Sequence, residues 1–393
     1  MGEAENERRR NELAMKVAYI CNEYPPFKNG GIGTYTKDMA EHLAQLGHEV
    51  SVIGVFPENS IDEIETQNGV RLIRLAPSRV GALGDRINLY RNVLKLEREH
   101  GLDLLEAQEY GGLLAGWPKN RFKTIIRLHG SILYFNLELQ ERTWKNHIWK
   151  RLEGATLNRA HRIVSVSHYT AARTRQIFRL DRKIDVIHNG VPLSGKTTPI
   201  QDVGSCFRVI FAGSLQQKKG FLQLLHAWKI VLEGAGNFEL HIAGKDNSNQ
   251  FGEIKEILGN TGSVTYHGVL SKPALENLYL RMNLAVFPSF AEAFSLAPME
   301  AMAVGLPVVY TQLSSGAELI EHGVTGLLVN PHRPEDIARV IRVAADLSPQ
   351  ERMELGERGR RHIEKHFSIE RLAKKNETLM RNLVLGGDCL QDH

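Results

Sequence analysis

The sequence predicts an α/β protein built of two doubly wound, parallel-sheet domains in tandem. Three observations carry this. Short apolar runs alternate with amphipathic helical stretches along nearly all of the 393 residues, the pattern of parallel strands covered by helices on both faces. The alternation breaks once, at NGVPLSGKTTPIQDVGS, which is rich in Gly, Pro, Ser and Thr. It then restarts with a second set of apolar runs, and the length fits two domains better than one.

The first run, KVAYIC, ends at Cys21, and a helix is expected from about Tyr35 to Leu46. HEVSVIGV, VRLIRL, LDLLEA, KTIIRL, HRIVSVS and KIDVIHN follow as strands, separated by amphipathic segments such as DRINLYRNVLKLEREHG. After the break come FRVIFAG, a helix from Phe221 to Leu232, and FELHIAG, SVTYHG, LAVFPS, LPVVYT and TGLLVN. From Pro334 the pattern is helical almost to the end. The expected partition is a polar tail over 1–15, a first Rossmann-like domain over 16–190, a linker over 191–205, a second Rossmann-like domain over 206–367, a helix over 368–386 and a tail over 387–393.

Composition excludes several classes. Hydrophobic residues make up 42% and charged residues 24%, an ordinary globular mix. No run of 18 apolar residues exists, which argues against a transmembrane helix. MGEAENERRRNELAMK lacks the apolar centre of a secretory signal, and Asn6 stands where a myristoylated Gly2 wants Ser or Thr. Cys21, Cys206 and Cys389 are far apart and form no C-x-x-C pair, so no zinc knuckle or disulfide framework is expected and a reducing cytoplasm fits. Net charge is +4, but Lys119 to Lys183 holds 15 Lys and Arg against 4 Asp and Glu. A basic stripe serves nucleic acid, anionic lipid or a phosphorylated ligand; no nucleic-acid motif accompanies it.

In KNGGIGTYT, Gly31, Gly33 and Thr36 stand one residue short of the dinucleotide fingerprint G-x-G-x-x-G. NEYPPFKN separates strand from glycines, and Gly54 and Val55 end the second strand where an acidic residue should bind ribose. Both conditions for NAD fail, and no G-K-S/T follows for a Walker A loop. What remains is either a tight strand-to-helix turn or a helix N-terminus suited to a phosphate. FPSFAEAFSLAPMEAMAVGLPVV places Glu292 just beyond a strand and Glu300 in the first turn of a helix over Ala297 to Met302. Carboxylates there suit vicinal sugar hydroxyls; at this spacing alone they also suit a solvated face.

Several segments match a known family in order. EAFSLAPME, followed by GLPVV and GAELIEHGVTGLLV, resembles the E-x7-E region of the retaining glycosyltransferases of family four, the group 1 enzymes of GT-B fold. KNGGIGTYT resembles their diglycine loop, LAQLGHEVSVI the next helix and strand, and RLHG their active-site His-Gly. IHNGV resembles P-N-G-V with His188 replacing Pro, and FAGSLQQKKGFLQLLHAW resembles V-G-R-L-x-x-x-K-G. The likeness runs from about Lys16 to Ser368.

The resemblance implies two Rossmann-like domains facing across a cleft, with the acceptor on the first, the nucleotide-sugar donor mostly on the second, and the final helix crossing back to the first. It implies that Glu300 binds the ribose and that Glu292 holds donor-sugar hydroxyls beside the backbone of Ala293, Phe294 and Ser295. Lys219 would meet the diphosphate, with the Gly30 and Gly31 amides approaching the phosphates, and His129 would lie near the reacting sugar. His129, Lys219 and Glu292 are thus the catalytic candidates. Ser214 stands where the family carries a phosphate arginine; a serine brings no charge and no bidentate fork.

No cofactor and no metal are expected: there is no D-x-D motif, and His161, His168 and His267 lack metal-ligand spacing. The expected reaction moves a hexosyl group with retention from a nucleotide diphosphate sugar, a UDP-sugar first and GDP-mannose next, by front-side attack. It would serve cell-surface polysaccharide, glycolipid or other glycoconjugate synthesis. The alternatives are a GT-B nucleotide-sugar 2-epimerase and a non-catalytic nucleotide-sugar-binding protein. The expected acceptor is a sugar, a glycolipid or a lipid-linked molecule, with no nucleic-acid partner. In ERTWKNHIWKRLEGATLNRAHR, Trp144, Ile148, Leu152 and Ala155 share a helical face. That face either meets an anionic membrane from the cytoplasmic side or packs on the core under a solvated basic face.

Overall fold

A computed structural model describes residues 14–25, 30–197, 206–246, 250–259 and 262–386. Both polar tails, with Gly2, Asn6 and Cys389, lie outside the described residues, as do Lys28, Asn29 and 198–205 of the expected linker. The chain divides into two compact units. One holds the chain up to Leu137, Arg142–Asn189 and the last helix; the other holds Gly190–Ser368 with Glu138–Glu141.

The first unit carries β1 (Lys16–Ile20), β2 (Glu49–Val55), β3 (Glu63–Gln67), β4 (Val70–Leu75), β5 (Leu104–Gln108), β6 (Thr124–Leu128), β7 (Arg162–Ser165) and β8 (Asp185–Val186). Their order in the sheet is β3-β4-β2-β1-β5-β6-β7-β8, all parallel except β3 on β4. The helices are α1 (Gly31–Gln45), α2 (Ala82–His100), α3 (Ile132–Glu138), α4 (Lys145–Leu157), α5 (His168–Phe178) and, from the chain's end, α13 (Ile369–Leu385). Period-2 alternation explains why both faces are covered. Val17 and Tyr19 pack with Met39 and Leu43 of α1 and with Leu372 and Met380 of α13. Ala18 and Ile20 face Leu89 and Val93 of α2 and Leu157 of α4 on the other side.

α1 starts at Gly31, four residues before the expected Tyr35. Apolar periodicity begins at Tyr35, but the first turn is held by contact instead. Gly30 N donates to Glu23 Oε2 at 2.9 Å, and Gly33 lies so close to the Glu23 carbonyl that a Cβ would approach it to 2.5 Å. β3, EIETQ, carries no apolar run and escaped the strand reading. It is an exposed edge strand closed onto β4 by Asn68-Gly69, both at positive φ, the two-residue hairpin turn that Asn-Gly favours.

The second unit carries β9 (Phe207–Ala212), β10 (Phe238–Ala243), β11 (Val264–Tyr266), β12 (Leu284–Phe287), β13 (Val308–Thr311) and β14 (Leu327–Val329), in the order β11-β10-β9-β12-β13-β14. Its helices are α6 (Phe221–Glu233), α7 (Phe251–Leu258), α8 (Lys272–Tyr279), α9 (Leu296–Ala303), α10 (Gly316–Leu319), α11 (Pro334–Asp346) and α12 (Pro349–His366). Val209 and Phe211 of β9 bury against Leu224 and Trp228 of α6 and Ile341 of α11. The helical tail breaks at Ser348, whose side chain forms a capping box with Glu351. It breaks again at Phe367–Ser368, where Ser368 bridges Val191. Among the described residues, no helix is long and apolar enough to cross a membrane.

Candidate active site

In the second unit the strand order reverses between β9 and β12, which lie side by side and parallel. Such a switch point opens a crevice at the carboxyl ends of the strands. The loop after β9 carries Ser214 and Lys219; the loop after β12 carries Glu292. Two contacts lock the loops together. Gly220, at φ 70°, sits so close to Pro288 that a Cβ would fall 1.9 Å from its carbonyl oxygen. Phe290 N donates to Lys218 O at 2.8 Å.

The result is an ion pair, Lys219 Nζ to Glu292 Oε1 at 2.6 Å. Glu292 is mostly buried and Lys219 partly so, and Glu292 N donates to Ser314 Oγ at 3.2 Å. The sequence assigned these two side chains to different parts of a donor and did not foresee their contact, which depends on β9 pairing with β12. Ala293 and Phe294 are buried, and Ser295 is the N-cap of α9 without a side-chain capping bond. Glu300 is half-buried. Because α9 begins at Leu296, Glu300 falls in its second turn, not the first. Its carboxylate adds to the burial that holds the Tyr279 phenol well above its ordinary pKa. Ser214 is half-buried; Leu215 N donates to the carbonyl of the exposed Lys245 at 2.9 Å, so the backbone after β10 runs beside the backbone that follows the serine.

The first unit has its own switch point, between β1 and β5. Gly30 and Gly31 follow β1, and His129 follows β6. Glu23 occupies the Gly30 amide, so the α1 N-terminus carries a carboxylate of its own. Gly31 differs from Gly30 and Gly33 in the space around it: a Cβ there would meet nothing within 4 Å. Nothing in the unit requires glycine at 31, whereas the Glu23 carbonyl requires it at 33. Gly31→Ala is therefore expected to change stability by less than about 0.5 kcal/mol, and Gly33→Ala to lower it by about 1–3 kcal/mol through the clash. Urea unfolding of the two variants checks this; equal losses would refute the distinction.

His129 is nearly buried. Burial first, and Arg127 second, push its pKa down to about 3, so the ring is neutral at physiological pH. It meets the Tyr35 ring edge-on at 4.8 Å. Behind it runs a buried network that the sequence did not reveal beyond the quoted RLHG. Arg127 Nε donates to Glu106 Oε1 at 2.5 Å and Nη2 to Glu106 Oε2 at 3.1 Å. Nη2 also reaches Asn376 Oδ1 of α13 at 2.5 Å, and the guanidinium lies over the Tyr35 ring at 5.0 Å.

Other histidines have internal partners. His161 Nδ1 accepts from Thr124 N at 3.1 Å, His168 and His188 meet edge-on, and His267 stacks on His241. The basic helix α4 buries Glu153, Thr156 and Leu157, leaves Leu152 and Ala155 half-buried, and exposes Ile148 by 43%, with Trp144 at its N-cap exposed by 71%. The apolar face named from the sequence is thus open at its start, and a neighbouring face packs on the core.

Residues 29–194 match the family description "Glycosyltransferase Family 4", and residues 205–362 match "Glycosyl transferases group 1". An uncharacterised glycosyltransferase of Methanocaldococcus jannaschii is 28% identical over 358 residues, covering 84% of this chain and 90% of its own. Sucrose-phosphate synthase from Thermosynechococcus elongatus superposes with a TM-score of 0.81 at 20% identity, over 95% of this chain and all of that one. The Anabaena protein HepE, solved with UDP-glucose, gives 0.73 at 20% identity, over 93% and 100%. The two structures establish a shared GT-B fold.

Proposed function

We propose that this chain, which belongs to the group 1 glycosyltransferases of family four, transfers a hexosyl group from a nucleotide diphosphate sugar to an acceptor hydroxyl with retention and without a metal. The observation that carries the donor half is the Lys219–Glu292 pair at a sheet switch point, with Glu300 on the helix that follows. On this reading Lys219 offsets the charge that builds on the departing diphosphate, Glu292 holds sugar hydroxyls and Glu300 the ribose. The backbone of Ala293 to Ser295 assists, and Lys245 is the candidate for a cation near Ser214. Lys219 swings from Glu292 to the phosphates as the donor enters. In the first unit, the Gly31 amide at the α1 N-terminus is the candidate for a phosphate contact, and neutral His129 is the candidate for orienting the sugar. A UDP-sugar is the favoured donor, since the similarly folded HepE was solved with UDP-glucose.

Thermal shift against UDP, GDP, ADP, CDP and NAD, each with and without EDTA, tests the donor half. A single nucleoside diphosphate at 100 times its Kd should add about 2.7 kcal/mol, unchanged by EDTA. A shift with NAD alone, or one abolished by EDTA, would overturn this reading.

For the acceptor we propose a glycolipid or lipid-linked molecule reached from an anionic membrane surface. Trp144 and Ile148 stand among the exposed Lys145, Lys150 and Arg151. Val80, Leu83 and Ile87 at the start of α2 are also exposed. Arg86 of α2 donates to the carbonyls of Gly111 and Gly112, and Gly112 abuts Leu152 of α4, so the two apolar segments flank the same turn. Aromatic and aliphatic groups ringed by cations suit an interface with anionic lipid. Vesicles containing phosphatidylglycerol should co-sediment the protein at low salt and less at high salt. No binding at either salt would end the membrane proposal.

A further inference from the structure

Two buried carboxyl groups, neither of them a candidate site residue so far, converge on the backbone around His129. Glu109 directly follows β5 and is fully buried. Its Oε2 accepts from His129 N at 3.0 Å, and the Gly130 amide also donates to this carboxyl. Glu153 of α4 is equally buried. Its Oε1 accepts from Ile132 N at 2.7 Å and Gly111 N at 3.2 Å, and its Oε2 from Leu133 N at 3.2 Å. The turn has little freedom otherwise: Gly130 lies at φ 86°, and a Cβ there would approach the Phe135 ring to 2.7 Å.

We propose that Glu109 is a positioning residue for the glycosyl-transfer site, holding the His129–Gly130 backbone in its protonated form while Glu153 anchors Ile132 and Leu133 beyond the turn and Gly111 of the β5 loop. The inference rests on the transfer reading above only for its effect on turnover. The geometry supplies the reason for the proton. Two carboxylates sharing a dry pocket do not both ionise readily. Glu153 accepts three backbone N–H bonds across both its oxygens, whereas Glu109 Oε1 is buried without a hydrogen-bond partner. The proton therefore belongs on Glu109. The groups that face it are Glu153 from α4 and the neutral His129 from the β6 loop. Arg86 from α2 is engaged with the Gly111 and Gly112 carbonyls, and Tyr110 is the next residue in the chain. Burial raises the Glu109 pKa to about 8, with the Glu153 charge a further contribution.

The consequence is an alkaline limit set by one carboxyl group. Above about pH 8 Glu109 ionises beside Glu153, and repulsion loosens the turn. Amide hydrogen exchange of 129–133, corrected for the intrinsic pH dependence and followed from pH 7 to 9.5, reads this directly. In the wild-type protein, protection of this segment is expected to fall at least tenfold through that range. Glu109→Gln keeps a neutral side chain of the same shape and should hold its protection throughout. Glu109→Ala should be unprotected at both ends; if it does not fold, the comparison of wild type with Gln stands alone. UDP-glucose cleavage over the same pH range should lose its alkaline limb in E109Q. Equal pH dependence of exchange in wild type and E109Q would overturn the proposal. If exchange behaves as expected while no nucleotide sugar is cleaved, the transfer reading fails and the positioning role stands.

Discussion

Lys219→Ala is expected to lower kcat/KM for the nucleotide sugar by about 10²–10³-fold, the usual cost of removing one preorganised charge-stabilising donor. The effect should fall mainly on kcat, because charge on the leaving diphosphate develops in the transition state. Lys219→Arg should recover little: a planar fork does not reproduce a compact ammonium 2.6 Å from a carboxylate. Lys219→Ala also takes the Lys219 cation away from the mostly buried Glu292, at about 1–3 kcal/mol of stability. Adding Glu292→Gln removes the carboxylate charge, so the double variant should regain stability without regaining turnover. Steady-state kinetics and urea unfolding on the four proteins separate the two effects. A single variant within threefold of wild type in kcat/KM would show that Lys219 does not act on the leaving group.

The second large effect lies in the first unit. Arg127→Ala strands the Glu106 carboxylate in the interior and removes the link to Asn376, and breaking a buried pair from one side costs about 3–5 kcal/mol. Arg127→Met with Glu106→Leu, which removes both charges, should recover much of that loss. α13 should respond locally, since Asn376 Oδ1 loses its partner; amide exchange over Ile369–Leu385 should rise more than over β5. A loss under 1 kcal/mol in the alanine variant would mean that the network does not hold the helix.

These side chains show how far sequence reaches in this fold. Strands buried on both faces announce themselves as apolar runs, and so nearly every parallel strand was legible. β3 was not, because an exposed edge strand has no apolar run; Asn68-Gly69 was the signal that would have found it. Glu292, Glu300 and Lys219 were legible through a motif with fixed flanks. Their mutual geometry was not, since Lys219 and Glu292 meet only because β9 and β12 are neighbours in the sheet. Glu106, Arg127 and Asn376 come from three distant segments and share no periodicity, which leaves a buried polar network invisible until the sheet order is known. Glu109 and Glu153 look from sequence like ordinary surface acids. Only their burial, and the amides they accept from, mark them out.

Proton NMR of the protein mixed, without metal, with UDP-glucose, UDP-N-acetylglucosamine, GDP-mannose and ADP-glucose in separate tubes reads donor cleavage and its stereochemistry together. One donor should be cleaved slowly to its nucleoside diphosphate, the sugar appearing first as the α-anomer, and Lys219→Ala should abolish the signal. First release of the β-anomer, conversion of a donor to its C2 epimer, or an inert response to all four by the folded protein would contradict the account.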